Sequence, residues 1–136
     1  MKLEVKIPLD KAAEEIEAWF DRKKIMPSQR ETYKDHTEIL VEALAYGILA
    51  LDDQGCFTQQ IQHTSEDEAA VSVLKYKSRV SARVVEPHLK GVKGSDSDGR
   101  ILAYMACLTD QPKGVLKALD SSDSRIANSI VVFFLG

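Results

Sequence analysis

Two short β-prone stretches, CFTQQIQH at residues 56–63 and AAVSVLKY at residues 69–76, decide the fold class of this chain. Both are rich in the aromatic and β-branched residues that favour strands, and the polar run Ser65–Glu68 lies between them. This arrangement predicts an antiparallel hairpin with strands near 56–63 and 70–77. Because helical patterns flank the hairpin on both sides, the predicted class is α+β, mostly helical with a small antiparallel sheet.

The residues before the hairpin predict one further strand and two helices. Apolar and charged side chains alternate over residues 2–8, which is typical of a strand with one buried face. Apolar residues then recur at helical spacing and predict a helix near 10–22. Ser28 and Glu31 have the S-x-x-E spacing of a capping box. The apolar periodicity that follows predicts a single long helix over 29–51.

The residues after the hairpin are predicted to be helical, with Pro87 kinking or ending the first helix. The expected helices lie near 78–90, 97–109, 112–119 and 122–134. No repeat or low-complexity linker divides the chain. We therefore expect a single domain over 1–136, with a helical N-terminal part (1–55) and a C-terminal part (56–136).

Composition excludes several classes of protein. The chain has 136 residues, 18 basic against 21 acidic side chains and a net charge of −3, which is typical of one soluble domain. No apolar run is long enough for a transmembrane helix, and the N-terminal residues lack the apolar core of a signal peptide. Cys56 and Cys107 are too few and too far apart for a disulfide framework, so we expect a reducing compartment.

The residues that commonly carry enzyme chemistry form no recognisable catalytic or metal set. The three histidines, His36, His63 and His88, fall in different predicted elements without metal-ligand spacing. Alternation along a strand would place Cys56 and His63 on opposite faces, which separates a nucleophile from its base. We therefore expect a protein that is not an enzyme and that binds no metal or other cofactor.

The strongest local charge signal is a basic stretch between residues 75 and 93. It holds one acid, Glu86, and has a local charge of +5 inside an acidic chain. Its six basic residues are Lys75, Lys77, Arg79, Arg83, Lys90 and Lys93. Such a stretch could meet nucleic acid or an acidic protein, but only Tyr76 could stack on a base, so a solvated face is favoured.

The C-terminus is the strongest apolar signal, since the chain ends in IVVFFLG. Chain ends are usually frayed and polar unless they are docked. This end is therefore either buried in the core, which is the favoured interpretation, or offered to a partner. The candidate partner-binding residues are Ile130, Phe133, Phe134 and Leu135.

Residues 74–136 resemble the small tail assembly chaperones of long-tailed bacteriophages. In this family a basic, β-prone segment and a loop precede a helix with an L-x-x-L-T-x-x-P type phrase, which Met105–Pro112 resembles here. A leucine-plus-aspartate phrase follows, found here at Leu116–Asp123, and the family closes on an aromatic-aliphatic helix end, here Phe133–Leu135. The first 55 residues have no counterpart in the shorter members of the family.

The resemblance implies a non-enzymatic role in the host cytoplasm. Such chaperones bind the tail tape-measure protein, keep it soluble, and help to recruit tail tube subunits. The predicted helix 29–51 could supply a second contact or form a homo-oligomer. The alternative hypothesis is a small phage-encoded nucleic-acid-binding regulator that uses the basic stretch, and we expect no membrane partner.

Overall fold

The computed structural model describes residues 4–63 and 71–135, which form helices around a small sheet. The helices are α1 (Leu9–Lys23), α2 (Pro27–Thr32), α3 (Lys34–Ala45), α4 (Ala82–Leu89), α5 (Ser97–Thr109), α6 (Lys113–Lys117) and α7 (Ser121–Val131), and α7 continues into a 3₁₀ turn over Val132–Phe134. The strands are β1 (Leu49–Leu51), β2 (Phe57–Gln60) and β3 (Val73–Lys75). The predicted class, α+β and mostly helical with a small antiparallel sheet, is confirmed.

The sheet has the order β1-β2-β3 and is antiparallel throughout. Thr58 pairs with Lys75 across β2 and β3, which confirms the predicted hairpin, although residues 64–70 between its strands lie outside the described part. The third strand is β1 and not the predicted strand at 2–8. The described residues of that segment form no strand, because the N–H groups of Lys6 and Ile7 both donate to the carbonyl of Ala45, at 2.7 and 3.0 Å.

The single helix predicted over 29–51 is wrong, because the chain forms two helices and a strand there. The predicted capping box is not used: α2 begins at Pro27, and no side chain caps it. The helical path is interrupted at Tyr33 and ends before Gly47, whose φ of +78° belongs to the left-handed region that glycine adopts readily. The apolar residues beyond it pair with β2, since tertiary pairing outweighs their helical spacing.

The other predicted helices are present, with local shifts at their ends. Helix α5 matches the predicted 97–109, and the side chain of Asp96 accepts from the Gly99 N–H at its start. Helix α4 begins only at Ala82, because Ser81 caps it by accepting from the Val84 N–H. Pro87 lies inside α4 and does not end it.

One hydrophobic core joins the N-terminal and C-terminal parts. Trp19 of α1 packs edge-on against Phe57 of β2 and Phe133 of the 3₁₀ turn, with ring centroids 4.9 and 5.9 Å apart. Helix α3 packs against both α1 and α7. This packing brings the C-terminal end of α7 against the C-terminal end of α1, where the candidate site lies.

Candidate partner-binding site

A cleft of about 470 Å³ lies between the end of α1, the segment before α4 and the 3₁₀ turn. We call it the cationic cleft, because three positive side chains and no carboxylate line it within the described part of the chain. The lining residues that matter here are Lys23, Lys24, Gln29, Arg79, Ser81 and Phe134. The cleft therefore combines positive charge with an aromatic ring.

Lys23 is the central cation of the cleft and is half-buried. Its Nζ lies 3.6 Å from the centroid of the Phe134 ring and 3.4 Å from the carbonyl oxygen of Ser78, to which it donates. Burial, and secondarily the charge of Arg79, lower the pKa of Lys23 from 10.5 to about 8. The partners of the Lys23 ammonium are thus the Phe134 ring and the Ser78 carbonyl, where a desolvated cation usually has a carboxylate.

The cations of the cleft have no recorded ion pair among the described residues, which is also true of exposed cations such as Lys75 and Lys90 but not of Arg30 and Lys77. Arg30 binds Glu17 and Asp21 at 3.1 and 3.0 Å, and Lys77 binds Asp110 at 2.8 Å. Over residues 4–63 and 71–135, no carboxylate oxygen lies within 4.0 Å of the charged nitrogens of Lys23, Lys24 or Arg79. Among the described residues, these three cations therefore have no ion-pair partner.

The predicted basic stretch does not form one site. Arg79 lines the cationic cleft, whereas Lys77 is ion-paired with Asp110. The remaining four are exposed on separate elements: Lys75 on β3, Arg83 on α4, and Lys90 and Lys93 in the loop after α4. One residue of the six thus contributes to the cleft.

The predicted C-terminal residues divide into two groups. Ile130 and Phe133 are 0% and 2% exposed and belong to the core, although Phe133 also lines the cationic cleft. Phe133 is held there by ring contacts to Phe20 and Tyr33, at centroid distances of 4.8 and 5.6 Å. Phe134 and Leu135 remain half-buried, and Phe134 lines the cleft.

Sequence reasoning did not identify Lys23, Lys24 or Gln29 as site residues. The predicted helix 10–22 ends directly before the Lys23-Lys24 doublet, and nothing in the local pattern marks either lysine as a binding residue. Lys24 adopts φ +59° as the C-cap of α1, a left-handed conformation that costs a non-glycine residue about 1 kcal/mol. A charged side chain therefore occupies a position that glycine commonly takes.

A second concave surface, of about 400 Å³, lies between α3 and α7. We call it the α3–α7 groove. Ile39, Ala43, Ile48 and Ile126 give it an apolar lining, and Glu42 and Arg125 add one charge of each sign. Helix α3 thus supplies an apolar surface within the segment for which a second contact was predicted.

A buried polar network, here called the polar clamp, joins the sheet to α7 through Gln59, Tyr76 and Asp123. Tyr76 donates to Gln59 Oε1 at 2.6 Å, and Gln59 Nε2 donates to the Asp123 carbonyl at 2.9 Å. The Asp123 carboxylate accepts the N–H groups of Gln62 and His63, at 2.8 and 3.0 Å. Burial raises the pKa of Tyr76, so its hydroxyl stays protonated.

Two further reactive side chains, Cys107 and His36, make contacts within the fold. Burial raises the pKa of Cys107, which lowers its thiolate fraction, and its Sγ donates to the Val84 carbonyl at 3.7 Å. His36 Nδ1 lies 2.9 Å from the hydroxyl of Ser129, and burial lowers the His36 pKa. In the part of the chain that the structure describes, no group of three His, Cys, Asp or Glu side chains could hold a metal ion.

Two further observations bear on the class of this protein. None of the described helices combines the length and apolarity needed to cross a membrane. Comparison of the chain with protein-family models, with curated proteins and with solved structures gave no match.

Proposed function

We propose that this protein is a non-enzymatic assembly chaperone or adaptor that binds the tape-measure protein during phage tail morphogenesis in the bacterial cytoplasm. The single observation that carries the proposal is the cationic cleft, in which three cations without an ion pair among the described residues lie beside the half-exposed Phe134. The resemblance of residues 74–136 to tail assembly chaperones supplies the class of client. The tail tube protein and a second copy of the chain are further candidate partners.

The two concave surfaces suit a protein that holds another protein temporarily. A chaperone of this kind needs apolar contacts to its client and enough surface charge to remain soluble. The α3–α7 groove supplies an apolar lining, and the cationic cleft supplies charge beside an aromatic ring.

Co-expression with a tape-measure fragment tests the proposal. We expect the soluble fraction of the fragment to rise several-fold and the two proteins to co-purify. The double variant Phe134→Ser/Ile126→Glu, altered in both concavities, should lose this effect, whereas Lys93→Gln in the loop after α4 should keep it. A fragment that is equally insoluble with and without the wild-type chain would contradict the proposal.

A nucleic-acid-binding regulator remains the second candidate function. The observation that favours it is the exposure of Lys75, Arg83, Lys90 and Lys93. Binding through these cations should fall steeply with salt concentration, with a slope that decreases when they are replaced by glutamine. The absence of a gel shift at low salt would remove this candidate.

A further inference from the structure

We infer that the cationic cleft binds an acidic peptide segment, seating a carboxylate between Lys23 and Arg79 and an apolar side chain beside Phe134. The inference deepens the proposed function and rests on it for the identity of the client. It adds the chemistry that the client must present, which neither the resemblance nor the fold supplies. Three properties of the cleft, its charge, its apolar lining and its covered ring face, support this ligand class.

Charge is the first property. The chain as a whole carries a net charge of −3, yet all three charged residues lining this cleft are positive. Lys23 is half-buried, and its nearest polar contact, the Ser78 carbonyl at 3.4 Å, carries no full charge. A ligand carboxylate would give Lys23 the ion pair that it lacks within the described residues. Because Arg79 and Lys24 lie beside it, the same carboxylate gains their attraction.

The apolar lining is the second property. Val80, the buried Phe133 and the half-buried Phe134 all form part of the cleft wall. Apolar area next to cations favours a ligand that carries both kinds of group over a bare inorganic anion. A volume of about 470 Å³ accommodates a few side chains of an extended segment. The fitting ligand is therefore a run of Glu or Asp containing a residue such as Phe or Leu.

The third property is that Lys23 covers one face of the Phe134 ring. This property favours a peptide ligand over single-stranded nucleic acid. Base recognition without sequence preference relies on aromatic faces on which bases stack. The Lys23 ammonium lies 3.6 Å from the centroid of the Phe134 ring, so that face is occupied. Of the six cations in the predicted basic stretch, Arg79 lines the cleft and the other five lie elsewhere, so among the described residues this stretch supplies no row of cations leading into the cleft.

Binding at this site is coupled to protonation. Lys23 has a pKa of about 8, and the charged groups that line the cleft with it are Lys24 and Arg79, while Gln29 and Ser81 are neutral. A bound carboxylate favours the charged ammonium, so it raises the Lys23 pKa. Near pH 8 the complex should therefore take up protons from the buffer, and affinity should fall as the pH rises above about 8.

Titration calorimetry on the full chain tests the inference with three probes. They are a short peptide of alternating Glu and Ala around one Phe, the same peptide with Gln in place of Glu, and a single-stranded oligothymidylate of similar length. We expect the Glu peptide to bind at least about tenfold more tightly than the Gln peptide. At pH 8, its heat should differ between phosphate and Tris buffers by the amount that proton uptake requires.

Two variants and a matched control locate the site. Lys23→Met and Arg79→Gln should each weaken the Glu peptide by about tenfold, and Lys23→Met should abolish the buffer dependence. The control Lys93→Met, which removes an equal charge from the loop after α4, should leave affinity unchanged. Circular dichroism verifies that each variant folds, and because Arg79 is exposed, Arg79→Gln keeps the test valid if Lys23→Met does not fold.

Several outcomes would overturn the inference. These are equal affinity for the Glu and Gln peptides, equal weakening by Lys93→Met and Lys23→Met, or displacement of the peptide by oligothymidylate. If the tape-measure fragment is held equally well by Lys23→Met and by the wild type, the cleft inference fails and the chaperone proposal stands. If the Glu peptide binds but the tape-measure fragment does not, the chaperone proposal fails and the acidic-peptide site stands.

Discussion

The polar clamp and the cationic cleft are both built from polar side chains that are wholly or partly buried. They differ in whether the chain supplies a matching partner for each polar group. In the clamp, the Gln59 amide and the Tyr76 hydroxyl are both hydrogen-bonded, and both side chains are nearly inaccessible. In the cleft, the half-buried Lys23 has a carbonyl and a ring face but no described carboxylate.

The difference separates a structural role from a binding role. A buried polar group contributes to stability when its partners are supplied by the chain itself. A desolvated cation without a counter-ion lowers the free energy of unfolding. A ligand carboxylate can supply the missing counter-ion. The clamp therefore holds the sheet against α7, whereas Lys23 in the cleft has no carboxylate partner among the described residues.

The largest effect is expected at the boundary of the cleft, where two adjacent phenylalanines differ in burial. Phe133→Ala should lower the free energy of unfolding by about 3–5 kcal/mol, because it leaves a cavity among Trp19, Phe20 and Tyr33. Phe134→Ala removes a half-buried ring and should lower it by less than half as much. Urea denaturation measures both, and equal losses would show that the two rings are equally part of the core.

The clamp should yield the next largest effect. Gln59→Leu keeps the side-chain volume but leaves the Tyr76 hydroxyl and the Asp123 carbonyl without their partner, so we expect a loss of about 2–4 kcal/mol. The matched control is Gln60→Leu on the exposed face of the same strand, which should change stability by less than about 0.5 kcal/mol. Similar urea midpoints for the two variants would mean that the clamp is not structural.

In the cleft, by contrast, removing a charge should raise the free energy of unfolding and not lower it. The Lys23 pKa is lowered from 10.5 to about 8, so the folded chain releases this proton before the unfolded chain does. The charged Lys23 therefore lowers the free energy of unfolding by its full amount below pH 8. This loss disappears as the pH rises from about 8 to 10.5. After allowance for solvent screening of a half-buried group, the change is about 1–2 kcal/mol.

Lys23→Met isolates this contribution. The difference in unfolding free energy between the variant and the wild type should favour the variant below pH 8 and shrink towards pH 10.5. Urea denaturation at several pH values measures that difference, which cancels the titration of groups common to both proteins. If the difference in unfolding free energy does not vary with pH, the Lys23 ammonium is either solvated or paired with a carboxylate in the folded chain.

The smallest effect is expected at the exposed cations outside the cleft. Lys90→Gln and Lys93→Gln should each change stability by less than about 0.5 kcal/mol, because neither side chain is buried. Neither should alter binding of an acidic peptide. A loss of peptide affinity comparable with that of Arg79→Gln, measured by the same calorimetry, would mean that charge acts over the whole basic stretch and not in the cleft.

The elements that were predicted correctly carry their own local signals. Helix α5 begins and ends where predicted, because Asp96 caps its first turn and a continuous apolar stripe follows. The hairpin of β2 and β3 was predicted because both strands are β-prone and close in sequence. Such signals depend on a few neighbouring residues, so they are visible in the sequence alone.

The elements that were predicted wrongly depend on distant partners. The segment 29–51 has helical spacing throughout, yet Leu49–Leu51 became β1 because β2 was available to pair with it. The alternating segment at 2–8 forms no strand over its described residues, because Lys6 and Ile7 bind the end of α3. In both cases a hydrogen-bonding partner far along the chain outweighed the local pattern.

The sequence by itself determined the fold class, the hairpin, most helices, and the presence of an apolar end and a basic stretch. Only the tertiary structure decided that Ile130 and Phe133 are core, and that Lys23, Arg79 and Phe134 meet in one cleft. The physical reason is that caps and periodicity act between near neighbours, whereas burial, desolvation and the lack of a counter-ion depend on which distant residues the fold brings together.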